Sequence, residues 1–158
     1  MPDMLVNLYD IDNMVKCSKG IIIKRVLAPD RYKIVLFVKE NFGDAWASEC
    51  ECAFSNSPIS CYIALKGTEI VGFACYDATC KNFFGPTGVK EEFRGKGIGS
   101  ALLKKSLLSM KENGYAYAII GSVGPVEFYE KEVNAIIIES SDNNKNIYSL
   151  MINNKLEV

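Results

Sequence analysis

Between Thr87 and Lys105 the chain reads TGVKEEFRGKGIGSALLKK, and this stretch restricts the fold more than any other. Gly95, Gly97 and Gly99 fall within five residues and strip a turn of side chains, so its backbone can come close to a ligand. Ile98, Leu102, Leu103, Leu107 and Met110 then recur at helical spacing, with Lys104, Lys105 and Lys111 on the other side, which predicts an amphipathic helix over 97–113. The first N–H groups of such a helix have no partner inside it, and the positive end of the helix dipole lies there. The turn is therefore a seat for an anion of the pyrophosphate kind. Arg94 and Lys96 add positive charge to that seat, and Ser100 adds a hydroxyl.

Two common phosphate loops can be tested directly. The pattern G-x-x-x-x-G-K-[ST] is absent from the chain, and the third glycine falls one place too early for G-x-G-x-x-G. What stands here is R-x-x-G-x-G, entered from a strand ending at Val89. It resembles motif A of the GNAT superfamily of acetyl-CoA-dependent N-acetyltransferases, V-x-P-x-x-R-G-x-G-I-G. Val89, Arg94, Gly95, Gly97, Ile98 and Gly99 match position by position, and Glu91 replaces the common proline. A second segment, Ser122 to Lys131, is similar to the family signature N-x-x-A-x-x-F-Y-E-K. Phe128, Tyr129, Glu130 and Lys131 match, while Ser122 takes the asparagine position and Pro125 the alanine. Asn134 sits near the usual glycine and tolerates the left-handed conformation needed there. The resemblance runs over residues 21–152.

The resemblance implies a mixed α/β fold in one domain over residues 1–158. Its central sheet is mostly antiparallel, with about seven strands, one splayed parallel pair and about four flanking helices. It implies acetyl-CoA as co-substrate and no metal. Gly88, Val89, Arg94, Gly95, Lys96, Gly97, Ile98, Gly99, Ser100 and Ser122 would contact the cofactor, and Tyr129 would donate a proton to the coenzyme A sulfur. The acceptor would be a primary amine of a small molecule or peptide, attacking directly in a ternary complex. A homodimer through the closing strands is a further family analogy. The general base stays open among Asp77, Glu49, Glu51 and water, since the strand over 83–89 has no acidic residue. Asp44, Trp46 and Glu49 would line the acceptor side by the same analogy. For single residues the blander expectation competes: Trp46 as a core side chain, Glu49 and Glu51 as a solvated helix face. The alternative function is a catalytically weak acyl-CoA-binding module, acting as a sensor or interaction partner; a nucleotide-phosphate binder is disfavoured by the missing loops.

Composition limits the other function classes. The 158 residues are 49% apolar with a net charge of -1, which suits a globular chain and gives no reason to propose nucleic acid or an acidic membrane as partner. No apolar run reaches the ~18 residues of a membrane span, and MPDMLVNLYD lacks a signal-peptide layout, so a soluble cytoplasmic protein is expected. With no histidine, Ser-His-Asp and Cys-His nucleophile pairs are excluded. The six cysteines contain no C-x-x-C pair, so zinc sites of common spacing are not predicted and reduced, buried thiols are.

In chain order, residues 4–11 predict a short edge strand and 21–27 a strand. Ala28-Pro29-Asp30 opens a helix with Ile34, Leu36, Phe37 and Val38 inward, ended by Gly43. Asp44 caps a second helix to about Phe54, and Ser55-Asn56-Ser57-Pro58 breaks it. Strands at 59–66 and 69–79 meet at a two-residue Gly67-Thr68 turn, which sets Lys66 against Glu69 and Cys61 against Ala74. In that register Cys61 and Cys75 point to opposite faces and cannot bridge. The strand over 83–89 contains Gly85-Pro86 and Gly88, predicting a bulge or gap. After the glycine-turn helix come a parallel strand at 115–120, a short helix at 125–132, and closing strands at 135–138 and 147–152 joined by a polar loop over 140–144.

Overall fold

The computed structural model describes residues 1–142 and 146–152. Its strands are β1 (Met4–Asn7), β2 (Ile21–Arg25), β3 (Cys61–Lys66), β4 (Glu69–Tyr76), β5 (Phe83–Val89), β6 (Tyr117–Ile120) and β7 (Ile136–Ile137). Its α-helices are α1 (Arg31–Phe42), α2 (Asp44–Ala53), α3 (Ile98–Glu112) and α4 (Val126–Val133). The strands form one sheet in the order β2-β3-β4-β5-β6-β1-β7. All neighbours are antiparallel except β5 and β6, as a right-handed strand–helix–strand crossover through α3 requires.

The sheet separates two cores. On one face α3 and α4 bury Leu102, Leu103, Leu107, Met110 and Tyr129 against Tyr62, Ala64, Ala74 and Phe84. On the other, α1 and α2 bury Ile34, Phe37, Val38, Ala47 and Cys50 against Cys61, Ile63, Phe73 and Cys75. The period-2 alternation of a strand divides β3 between them: Cys61 and Ile63 go to one core, Tyr62 and Ala64 to the other. All five apolar positions expected on the inner side of α3 are buried. Each fully buried side chain of this size is worth about 1.5–3 kcal/mol in transfer terms, which fixes the helix and hence its N-terminal turn on the sheet.

One register differs from the sequence expectation, with consequences for the cysteines. The pairing begins as predicted, Lys66↔Glu69 and Leu65↔Ile70, but then jumps to Ala64↔Gly72 and ends at Cys61↔Cys75. Val71 is an extra residue in β4, a bulge that the turn length alone could not reveal. Ile70 and Phe73 consequently share a core although three residues apart. Cys61 and Cys75 are cross-strand partners on one face, not on opposite faces.

Smaller corrections follow from tertiary context. The strand predicted over 4–11 is not an edge: β1 lies between β6 and β7 and is only four residues long. Leu36, expected inward, is 53% exposed, because Ile34, Phe37 and Val38 already define the buried side of α1. Asp44 is the first residue of α2 and makes no capping bond; Gly43, with φ 98, makes the break between the helices. Residues 147–150 form a 3-10 turn where a closing strand was expected. Of the predicted polar loop, Asn143 and Asn144 lie outside the described residues. Among the described residues no helix is long and apolar enough to cross a membrane.

Candidate functional site

The parallel register of β5 and β6 is confined to Phe83↔Ile119 and Phe84↔Ile120. Beyond it the two strands part, and a cleft of about 1100 Å³ opens between β5, the start of α3, and α4. The peptide group of Lys90 donates to Val71 of β4 at 2.9 Å. Alternation along the strand therefore turns the Val89 N–H away from β4, toward the cleft.

One end of the cleft is the glycine turn. Gly95 and Gly97 have φ of 75 and 76, and Gly97 is the left-handed residue before α3. The helix start has no side-chain cap, and the first return bond runs from Ala101 N–H to the Gly97 carbonyl at 3.0 Å. The N–H groups of the residues between therefore have no partner within the helix. Gly88, Val89, Arg94, Gly95, Gly97, Ile98, Gly99, Ser100 and Ser122 all line the cleft. Lys96 does not; its ammonium lies over the Phe93 ring at 5.2 Å and its carbonyl accepts from the Ser18 hydroxyl. Arg94 is exposed, its Nε donating to the Val89 carbonyl at 3.1 Å. The Ser100 hydroxyl donates to the Glu132 carboxylate, which also lies 3.6 Å from the Lys104 ammonium. Ser122 adopts φ 49, and its N–H is held by the Asp3 carboxylate at 2.8 Å. Gly88 is a site of close approach: a Cβ there would stand 2.6 Å from the Phe42 ring.

Tyr129, on α4, also lines the cleft and is packed edge-on against Phe84 and Phe128. It is 6% exposed, and none of the described residues hydrogen-bonds its hydroxyl. Burial pushes its phenol up to about 12. The turn that ends α4 is made by Asn134 at φ 52, the left-handed position expected of it.

The far end was only partly legible in the sequence. Phe42 and Trp46 stack obliquely at 5.5 Å and line the cleft together with Pro86 and Glu49. Trp46 is 38% exposed, so the expectation of core burial fails; its ring lies 6.3 Å from that of Phe73 on β4 and also lines the cleft. Glu49 is half-buried there, not a solvated surface carboxylate, and accepts from the Thr79 hydroxyl at 2.6 Å and the Tyr148 hydroxyl at 3.3 Å. Tyr148 reaches this point from the 3-10 turn that replaced the predicted strand. Nothing in its local sequence distinguishes it from a strand aromatic. Its phenol is raised to about 12 by burial, opposed by the Thr79 hydrogen bond and reinforced by Glu49. The other two carboxylates considered for proton transfer are elsewhere: Glu51 pairs with Arg31 at 2.7 Å on the outer surface, and Asp77 caps Asn82 and accepts from Tyr115.

The two raised phenols make a stability prediction. An unfolded tyrosine ionises near 10, whereas Tyr129 and Tyr148 keep their protons to about 12. Above the first value the native chain binds more protons than the unfolded one, so stability falls as pH rises through this window. The urea midpoint is expected to drop between about pH 10 and pH 12, and Tyr129→Phe to flatten the drop. A midpoint unchanged over that range contradicts the buried-phenol account.

Residues 57–132 match the acetyltransferase (GNAT) domain family. No curated protein matches the chain. Among solved structures, the fold is similar to a GCN5-related N-acetyltransferase from Sphaerobacter thermophilus, with TM-score 0.70 at 20% identity, covering 87% of this chain and 48% of that one. It is also similar to the glucosamine N-acetyltransferase region of a fungal multi-domain β-N-acetylglucosaminidase, with TM-score 0.69 at 16% identity, covering 87% of this chain and 19% of that one. A third is a GNAT family N-acetyltransferase from Escherichia coli in complex with CoA, with TM-score 0.57 at 18% identity, covering 76% and 70%. The chain thus spans less than half the length of the first two structures it resembles.

Proposed function

We propose that this chain, which carries a GNAT acetyltransferase domain over residues 57–132 and has the fold of GNAT N-acetyltransferases, transfers an acetyl group from acetyl-CoA to a primary amine. The observation that carries the reading is the continuity of one cleft, from the bare amide groups of α3, past the buried Tyr129 hydroxyl, to the Glu49 carboxylate.

The residues present fit the cofactor. The first turn of α3 supplies N–H donors and dipole for the pyrophosphate. A Cβ built at Gly95 or Gly97 meets nothing within 4 Å, so the turn faces open space that a diphosphate can enter. The β5 edge at Gly88 and Val89, free of β6, offers backbone donors to the pantetheine arm. When bound, acetyl-CoA supplies an activated thioester. The Val89 N–H stabilises negative charge developing on a carbonyl oxygen beside it, a role in which one preorganised donor is worth a few kcal/mol. Tyr129 gives its proton to the departing sulfur. Glu49 takes a proton from the incoming ammonium, directly or through water, and holds the amine against the Trp46 and Phe42 rings. Lysine-like amines are mostly protonated at neutral pH, so a carboxylate at this end serves both binding and deprotonation.

A carboxylate in a cleft also lined by the Phe42 and Trp46 rings suits a primary amine on an apolar or aromatic body better than a polyanion. The two-residue edge strand β7, with Ile136 and Ile137 exposed, is where a second copy would pair in a homodimer. The test is a panel of primary amines with release of free thiol as readout. Some member is expected to accelerate thiol release over slow thioester hydrolysis. Glu49→Gln is expected to lower kcat/KM for that amine about tenfold, the worth of one charge-assisted hydrogen bond, with coenzyme A affinity unchanged. A panel that never accelerates thiol release, despite tight cofactor binding, leaves the acyl-CoA-binding module as the function.

A further inference from the structure

Three of the six cysteines have no part in the cleft. Cys50 comes from α2, Cys61 from β3 and Cys75 from β4, and their sulfurs all lie within 4.8 Å of one another. All three are 0% exposed. The Val71 bulge sets Cys61 directly opposite Cys75, and α2 lays Cys50 over the pair. The surrounding core is aliphatic and aromatic, with Val38, Ala47, Ala53, Ile63 and Phe73. Among the described residues no fourth histidine, cysteine or carboxylate joins the group. Cys52, two residues on, is exposed.

We propose that Cys50, Cys61 and Cys75 form a three-sulfur site for a trivalent thiophilic centre of the arsenite type. Ligand softness narrows the occupant to ions that prefer sulfur over oxygen. Ligand number narrows it again: structural zinc takes four ligands, and this position offers three and is closed to water. Charge decides among the rest. Three thiolates in an apolar core leave two negative charges unbalanced around a monovalent ion and one around a divalent ion, and net buried charge is costly. The guanidinium of Arg25 is already committed to the Ile59 carbonyl and the Tyr62 and Tyr76 hydroxyls. With all three sulfurs bound as thiolates, only a trivalent centre makes the filled site neutral.

The exchange balances without an oxidant or reductant. Arsenous acid, As(OH)3, reacts with three thiols to give As(SR)3 and three waters. Three As–O and three S–H bonds break, three As–S bonds form, and each thiol proton leaves with a hydroxide. The three thiols influence one another: their proximity lowers the Cys50 thiol and raises that of Cys61, burial raises that of Cys75, and the Cys61 thiol donates to the Tyr62 carbonyl at 3.8 Å. Because Cys50 follows Glu49 on α2, a filled site staples the helix that carries the cleft carboxylate to strands β3 and β4. Uptake requires α2 to lift locally, so it is slow.

The reduced protein, freed of metal by a chelator, is titrated with arsenite alone. One equivalent is expected to bind, with new near-ultraviolet absorbance from sulfur–arsenic bonds. The melting temperature is expected to rise by roughly 5–10 °C at a hundredfold excess over Kd. Cys50→Ala abolishes both changes and Cys52→Ala neither. Because Cys50→Ala could itself weaken the fold, the wild-type protein is also alkylated while folded, which blocks surface thiols and is expected to leave uptake intact. Loss of uptake on that alkylation, undiminished uptake by folded Cys50→Ala, or no uptake over hours overturns the proposal. Greater stabilisation by zinc or cuprous ions than by arsenite overturns the charge argument and the assignment with it.

Discussion

Gly97→Val is expected to weaken coenzyme A binding by roughly a hundredfold or more, with the chain still folded. The residue sits at φ 76 immediately before α3, a conformation that a β-branched side chain adopts only at a cost of ~1–3 kcal/mol. Nothing in the protein lies within 4 Å of a Cβ built there, so the substitution does not clash with the fold. Its effect falls on the turn and on whatever occupies the space above it. Relaxing the strain rotates the peptide groups that open α3 away from their common focus, and those groups are the proposed diphosphate donors. A loss of about 2.7 kcal/mol in affinity corresponds to a hundredfold. Calorimetric titration with coenzyme A, beside circular dichroism and a melting curve, checks this. Gly99→Ala is the internal control: its Cβ would make ordinary contacts at 3.8 and 3.9 Å with Val89 and Phe128, so stability is expected to be nearly unchanged. Binding by Gly97→Val within threefold of the parent would remove the anion seat from the function, whatever the fold.

The parts read correctly from sequence are those fixed by local chemistry. The glycine turn, the buried side of α3, the parallel step from β5 to β6, and the left-handed Asn134 each follow from a pattern contained within a dozen residues. The errors arose where a distant part of the chain decides. The Val71 bulge is invisible to turn length, and it moved Cys75 from the wrong face to a position opposite Cys61. Trp46 was expected in the core because large aromatics usually bury, but α2 presents it to a cleft shaped by β5 and Tyr148. Tyr148 itself falls in a run whose apolar length suits a strand, and nothing local marks the 3-10 turn. Thus the glycine-turn end of the cleft, built from one contiguous motif, is legible in the sequence. The end assembled from α1, α2, β5 and the 147–150 turn is legible only in part: Trp46 and Glu49 line it as the resemblance implies, Asp44 does not, and Phe42 and Tyr148 carry no local signal.

Tyr129→Phe separates binding from chemistry most cleanly, because it removes one atom whose loss the fold should not feel. The ring keeps its edge-on packing on Phe84 and Phe128, and no described residue loses a hydrogen bond. Deleting such a hydroxyl leaves no orphaned partner behind, so the melting temperature at neutral pH is expected to stay close to the parent's. If the hydroxyl delivers a proton to the departing sulfur, kcat falls by about 10²–10⁴ while coenzyme A affinity stays within a factor of two or so. The raised phenol fixes the pH behaviour as well. Held at about 12 by burial, Tyr129 remains protonated throughout any practical assay range, so it cannot cause a fall in rate below that pH. An alkaline decline in kcat at lower pH belongs to another group and should persist in the variant. Equal losses in kcat and in cofactor affinity would make Tyr129 a binding residue, and an unchanged kcat would leave the proton transfer to water.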